Sequence, residues 1–125
     1  MAKVTTVELA VRLKLFEDKA TVYNQAFSMN AVTYTEHSID RLVLATSSGW
    51  QEVNLGGVGT GVYLEAKSTR PILISLDTTT RPWNIGRGVL GGVVAVLGSF
   101  THVYVQNNSS TNTAVVNVAV ADENA

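Results

Sequence analysis

The chain of 125 residues contains no cysteine. That excludes a disulfide framework, a thiolate metal site and cysteine catalysis. Charge is also scarce: charged residues make up 15% and the formal net charge is −1. No basic stripe is visible, so nucleic acid is not an expected partner. There are two prolines, Pro71 and Pro82, and no long apolar run. The longest, residues 89–97, is about half a membrane span and carries glycines, so no membrane partner is expected. The first residues, Met1-Ala2-Lys3-Val4, lead into alternating residues and not into a signal-peptide core, so synthesis in the cytoplasm is expected. At 46% hydrophobic the chain is far from the composition of disorder. Its length suits one domain, 1–125, with a core that needs no staple.

What is present is two-residue alternation. Val7, Leu9, Val11, Leu13 and Leu15 alternate with Glu8, Ala10, Arg12 and Lys14, which predicts a long strand. Glu17-Asp18-Lys19 reads as a solvated turn. Residues 20–30 are ambiguous: Tyr23 and Phe27 could line a short helix, or the segment could be a loop. Short strands are predicted over 31–35, 41–46 and 50–55. In residues 61–76, Val62, Leu64 and Ala66 share one face, and Ile72, Ile74 and Leu76 share another beyond Pro71. Two such runs around a short polar break predict a β-hairpin. Further strands are predicted over 89–97, 100–106 and 113–120, with a polar turn cluster, NNSSTN, at 107–112. Residues 121–125 read as a frayed tail.

Eight to nine short strands with turn signals and no long helix predict an all-β fold, an antiparallel β-sandwich of jelly-roll type. An immunoglobulin-like sandwich is the alternative, although its Cys…Trp…Cys signature is missing.

Chemical motifs are sparse. Residues 86–91 satisfy G-x-G-x-x-G, but a β-branched run follows where a dinucleotide site needs a helix, so the match reads as chance. His37 and His102 lie far apart with no ligand spacing, and no metal or cofactor is expected. Asp77 with Thr78, Thr79 and Thr80 reads as a capped turn. No nucleophile, base and orienter are brought together by the sequence, so no catalytic residue is nominated and an enzyme is not expected. The best functional candidate is the long segment 77–88 (DTTTRPWNIGRG), which holds Arg81, Trp83, Asn84 and Arg87. Tryptophan and arginine are enriched at binding hot spots. Trp83 could instead fold back over one end of the sandwich. The N-terminal strand, residues 1–16 with Val7, Leu9 and Val11, is a second contact candidate. Open sandwiches must cover or pair their edges, and strand exchange between protomers does so. The plainer reading is an ordinary first strand in the same sheet.

From Ser38 onward the chain resembles small jelly-roll virion proteins of tailed phages: head-decoration, cement and tail-accessory proteins. The resemblance rests on Val53-Asn54-Leu55-Gly56, on Val62-Tyr63-Leu64-Glu65 followed by residues 71–76, and on the closing strands joined by residues 107–112. It covers about two-thirds of the chain and its motifs are structural. It implies a non-enzymatic virion protein that self-associates, often as a homotrimer, and binds the major capsid protein or another virion protein. The other reading of the same sequence is a carbohydrate- or receptor-binding module that uses the 77–88 segment as its platform.

Overall fold

The structure, a computed structural model, describes residues 6–123. It is all-β and antiparallel. Ten strands fall into a two-stranded ribbon and two four-stranded sheets. The ribbon is β1 (Thr6–Glu17) and β2 (Ala20–Thr33). One sheet has the order β3-β10-β5-β8, from His37–Leu44, Ala114–Ala121, Gly61–Ser68 and Val93–Phe100. The other has the order β4-β9-β6-β7, from Gln51–Glu52, Val103–Gln106, Ile72–Leu76 and Trp83–Ile85.

From β3 onward, every link between successive strands passes from one sheet to the other, except β6 to β7. This is the jelly-roll way of winding a sandwich. It fills the space between the sheets from both sides. Leu64 and Ala66 of β5 and Val116, Val118 and Val120 of β10 face Ile72 and Ile74 of β6 and Val103 and Val105 of β9, all essentially without exposure. The alternation read from β5 and β10 is therefore the inward face of a central strand pair.

Several expectations change. Residues 61–76 do not form a hairpin: β5 pairs with β10 and β8, and β6 pairs with β9 and β7. The break at 69–71 is a corner between sheets, held by Thr69 N donating to Val115 O at 3.0 Å and Val115 N donating to Thr69 Oγ1 at 3.0 Å. Periodicity reports which face is buried, and both strands bury theirs in the same core from opposite sheets. Residues 20–30 are neither helix nor loop but most of β2, in register with β1. The strand expected at 89–97 begins only at Val93 and runs to Phe100, after a tight turn. The tail is also anchored at its start. Asp122 Oδ1 accepts from Thr35 N at 2.8 Å and Glu36 N at 2.9 Å, and Asp122 N donates to Glu36 O. Residues 1–5 and 124–125, including the end of that tail, lie outside the described residues.

Two polar residues fix the ends of the sandwich. Asn107 is fully buried, and its Nδ2 donates to Leu44 O, Ala45 O and Asn112 O while its Oδ1 accepts from Ser109 N. One amide thus ties the carbonyls at the end of β3, which share one of its protons, to a carbonyl and an N–H of the β9–β10 turn, which is how a polar group is tolerated in a core. At the other end Asp77, in the left-handed region at φ 64°, accepts on Oδ1 from Thr101 N at 2.6 Å, Thr101 Oγ1 at 3.1 Å and His102 N at 3.1 Å. The sequence reads Asp77 with Thr78, Thr79 and Thr80 as a locally capped turn; the carboxylate instead clamps the β8–β9 corner to the end of β6, while Thr80 N donates to Thr78 Oγ1.

Among the glycines of residues 56–61, Gly61 carries a packing requirement. It pairs with Phe100 across β5 and β8, and a Cβ there would run into the Phe100 ring. Gly61→Ala is expected to lower stability by about 1–3 kcal/mol through forced overpacking. Gly59→Ala, with open space around it, should stay within about 0.5 kcal/mol. Urea unfolding of both variants measures the contrast.

Candidate interaction surface

The ribbon forms because two long alternating runs are joined by a two-residue turn. Glu17 pairs with Ala20, and Asp18 and Lys19 between them have φ of 48° and 70°. Two successive left-handed residues make the primed turn whose twist matches that of a hairpin. The register then sorts the side chains. Val11 lies opposite Phe27, Leu13 opposite Gln25 and Leu15 opposite Tyr23 on one face. Arg12 lies opposite Ala26 and Lys14 opposite Asn24 on the other. Phe16 sits on the polar side beyond a register shift, with the Lys14 ammonium 5.1 Å from its ring centroid.

The first face is apolar and uncovered. Val11, Leu13, Leu15, Tyr23 and Phe27 are 43–54% exposed. Scattered exposed hydrophobics are ordinary, but five on one face of one ribbon form a patch, and such patches mark interaction sites. Among the described residues the ribbon strands pair only with each other, so no third strand lies along either outer edge there. An isolated two-stranded hairpin is marginal in water.

A second surface, largely apolar along its two outer strands and charged between them, lies on the outside of the β3-β10-β5-β8 sheet. The register sets its rows. Ile39, Ala119, Glu65 and Ala95 form one row; Arg41, Asn117, Lys67 and Val93 form the next. Ile39, Val43, Val93 and Leu97 on this face are 51–75% exposed. The β8 edge, Val93–Phe100, carries neither charge nor proline, the usual guards of a free edge.

The nominated contact residues do not gather into one site. Val7, Leu9 and Val11 are together on β1. Val11 is half exposed, Leu9 is partly buried, and Val7 is placed by its register opposite Val32. Among the described residues the N-terminal strand, from Thr6 on, pairs with β2 alone and is not an ordinary member of a sandwich sheet. Segment 77–88 is not all loop, since it contains β7. Ile85 points into the core, so Trp83 shares the inward side and overhangs the edge 49% exposed, while Asn84 takes the outer side. The ring is thus neither a fully exposed platform nor a closed lid. Arg81 and Arg87 are exposed. Arg87 belongs to a tight turn in which Arg87 N donates to Leu90 O and Leu90 N to Arg87 O, at 2.9 and 3.0 Å. Residues 86–91, the G-x-G-x-x-G string, are this turn and lead into a strand.

One polar pair was not legible in the sequence. His102 Nδ1 lies 2.7 Å from Glu52 Oε1, both about half exposed, with the His102 ring stacked on Tyr104. The β4–β9 pairing brings them together across fifty positions. The hydroxyl that lines the same open depression, Thr101, is bonded to Asp77. Among the described residues no three His, Asp or Glu side chains converge as a metal site.

No family model, no curated protein and no solved structure matches this chain.

The amide of Thr101, with smaller help from His102, holds the Asp77 carboxyl below its ordinary value of 3.8. A depressed carboxylate stabilises the fold above its unfolded value, and that stability is lost as pH falls through the folded value. Thermal midpoints of the native chain should therefore drop as pH is lowered below 3.8. In Asp77→Asn that part of the acid dependence should be smaller, which a pH series of melts measures.

Proposed function

We propose that this chain is a non-enzymatic structural protein of a virion, of the decoration or cement type, which self-associates and binds a capsid surface. The observation that carries the reading is the uncovered apolar face of the β1–β2 ribbon. It is supported by the jelly-roll sandwich behind the ribbon and by the resemblance of residues from Ser38 onward to phage shell proteins. A homotrimer is the proposed form. The ribbon is the principal contact element, and Trp83 with Arg81, Asn84 and Arg87 offers separate contacts to a capsid protein or another virion protein. The proposed location is the assembled virion.

Magnitudes explain why such a protein works in multiple copies. Five half-exposed large side chains present roughly 450 Å² of apolar surface, since a large side chain buries on the order of 200 Å² in full. That is well short of the roughly 800 Å² per partner of a stable specific interface. One ribbon contact is therefore weak, and repetition around a closed oligomer and over a shell lattice supplies the avidity.

Sedimentation of the native chain should give a closed oligomer, a trimer by this reading. Leu13→Asp combined with Phe27→Asp should shift it to monomer with an unchanged far-ultraviolet β spectrum. A native monomer that captures glycans, and loses them on Trp83→Ala, would replace this reading with the carbohydrate-binding one.

A further inference from the structure

We propose that the ribbon of one copy seats its apolar face on the outer face of the β3-β10-β5-β8 sheet of a second copy. This rests on the reading that the ribbon is the association element, and it names the acceptor.

Three observations converge on this acceptor. The first is continuity. At its base the ribbon already meets the rim of this face in its own chain: Thr6, Glu8 and Leu9 with Tyr63, Ala119 and Ala121 line a depression of about 270 Å³. Tyr63 and Ala121 point outward from the sheet, yet only 8% and 7% of each is exposed. Beyond Leu9 the ribbon is exposed on every described side chain, and the remainder of the face is open. The same kind of surface is thus covered at the rim and uncovered beyond it.

The second is charge. Arg41 and Lys67 flank Asn117 in one row across three strands, and neither has an ion-pair partner among the described residues. The ribbon tip carries Glu17, Asp18 and Lys19, net negative, all exposed and equally without ion-pair partners among the described residues. Seating the tip at this row sets a net-negative tip against a net-positive row, with Glu65 of the adjacent row left for Lys19. It also leaves Arg12 and Lys14, on the ribbon's other face, in water.

The third is extent. From Leu9 to Glu17 the ribbon reaches about 27 Å at about 3.4 Å per residue. The face measures roughly 20 Å along its strands and roughly 14 Å across four strands spaced about 4.8 Å apart. One docking covers roughly 900 Å² counted over both partners, on the side-chain areas used above. That is at the small end for a specific contact, and a copy that both donates and receives makes two of them, so ring closure and not a single docking supplies the stability. Donor and acceptor are different patches, so the contact is head to tail and must close into a ring to stay finite.

The absence of native cysteine gives a clean test. A Leu15→Cys chain, with the cysteine beside the ribbon tip, is mixed with an Asn117→Cys chain and mildly oxidised, with Val93→Cys as a second acceptor position. The expected product is the mixed disulfide dimer, in clear excess over either homodimer. Predominant Leu15→Cys homodimers would show ribbon faces stacked on one another and overturn the acceptor while leaving ribbon-driven association intact. A chain that stays monomeric and uncross-linked overturns both. Independently, Arg41→Glu with Lys67→Glu should weaken association at least tenfold, and Glu17→Lys with Asp18→Lys in the same chain should restore it. Weakening without rescue would overturn the seating.

Discussion

A two-stranded ribbon has two faces and no second layer. That constraint governs how this molecule meets its surroundings. In the sandwich each sheet buries its inward side chains against the other, and the alternation of β5, β6, β9 and β10 is fully used. The ribbon has the same alternation and nothing to bury it against. Val11, Leu13, Leu15, Tyr23 and Phe27 remain about half exposed although the pattern that places them is as regular as any in the core. Apolar area that its own chain does not cover is the driving force available for association.

The rest of the structure makes the sandwich a fixed platform for that ribbon. Its corners are locked by side chains that would otherwise be candidates for chemistry. Asp77 spends its carboxylate on the Thr101–His102 corner, Asn107 spends its amide on the turn before β10, and Asp122 holds the segment that leads from the ribbon into β3. With these groups committed, the Glu52–His102 pair, the arginines of segment 77–88 and the apolar face of the ribbon are among the exposed features that remain.

Much of this was legible from side-chain period alone. The faces of β1, β5 and β10 are those that the sequence alternation marks, and the closing polar cluster is a turn because Asn107 can serve several backbone groups at once. Partners were harder to read. The runs at 61–68 and 72–76 look like two arms of a hairpin, yet the corner at 69–71 sends them to opposite sheets, a distinction that depends on Val115 from the far end of the chain. The second ribbon strand was masked for two physical reasons. Gln25 interrupts its apolar face, leaving Tyr23 and Phe27 at a helix-like spacing. Asp18-Lys19 also adopts a turn usually signalled by Asn-Gly, with two non-glycine residues at positive φ. The Glu52–His102 pair depends on a strand pairing fifty positions apart and leaves no local signal.

The most direct test of the account is amide hydrogen exchange along the ribbon, followed in concentrated and dilute solution. If the ribbon is covered by another copy, the amides that pair β1 with β2 exchange slowly in the concentrated sample and speed up together on dilution, while those of β10 stay protected throughout. Ribbon amides that exchange rapidly and equally at both concentrations would contradict it.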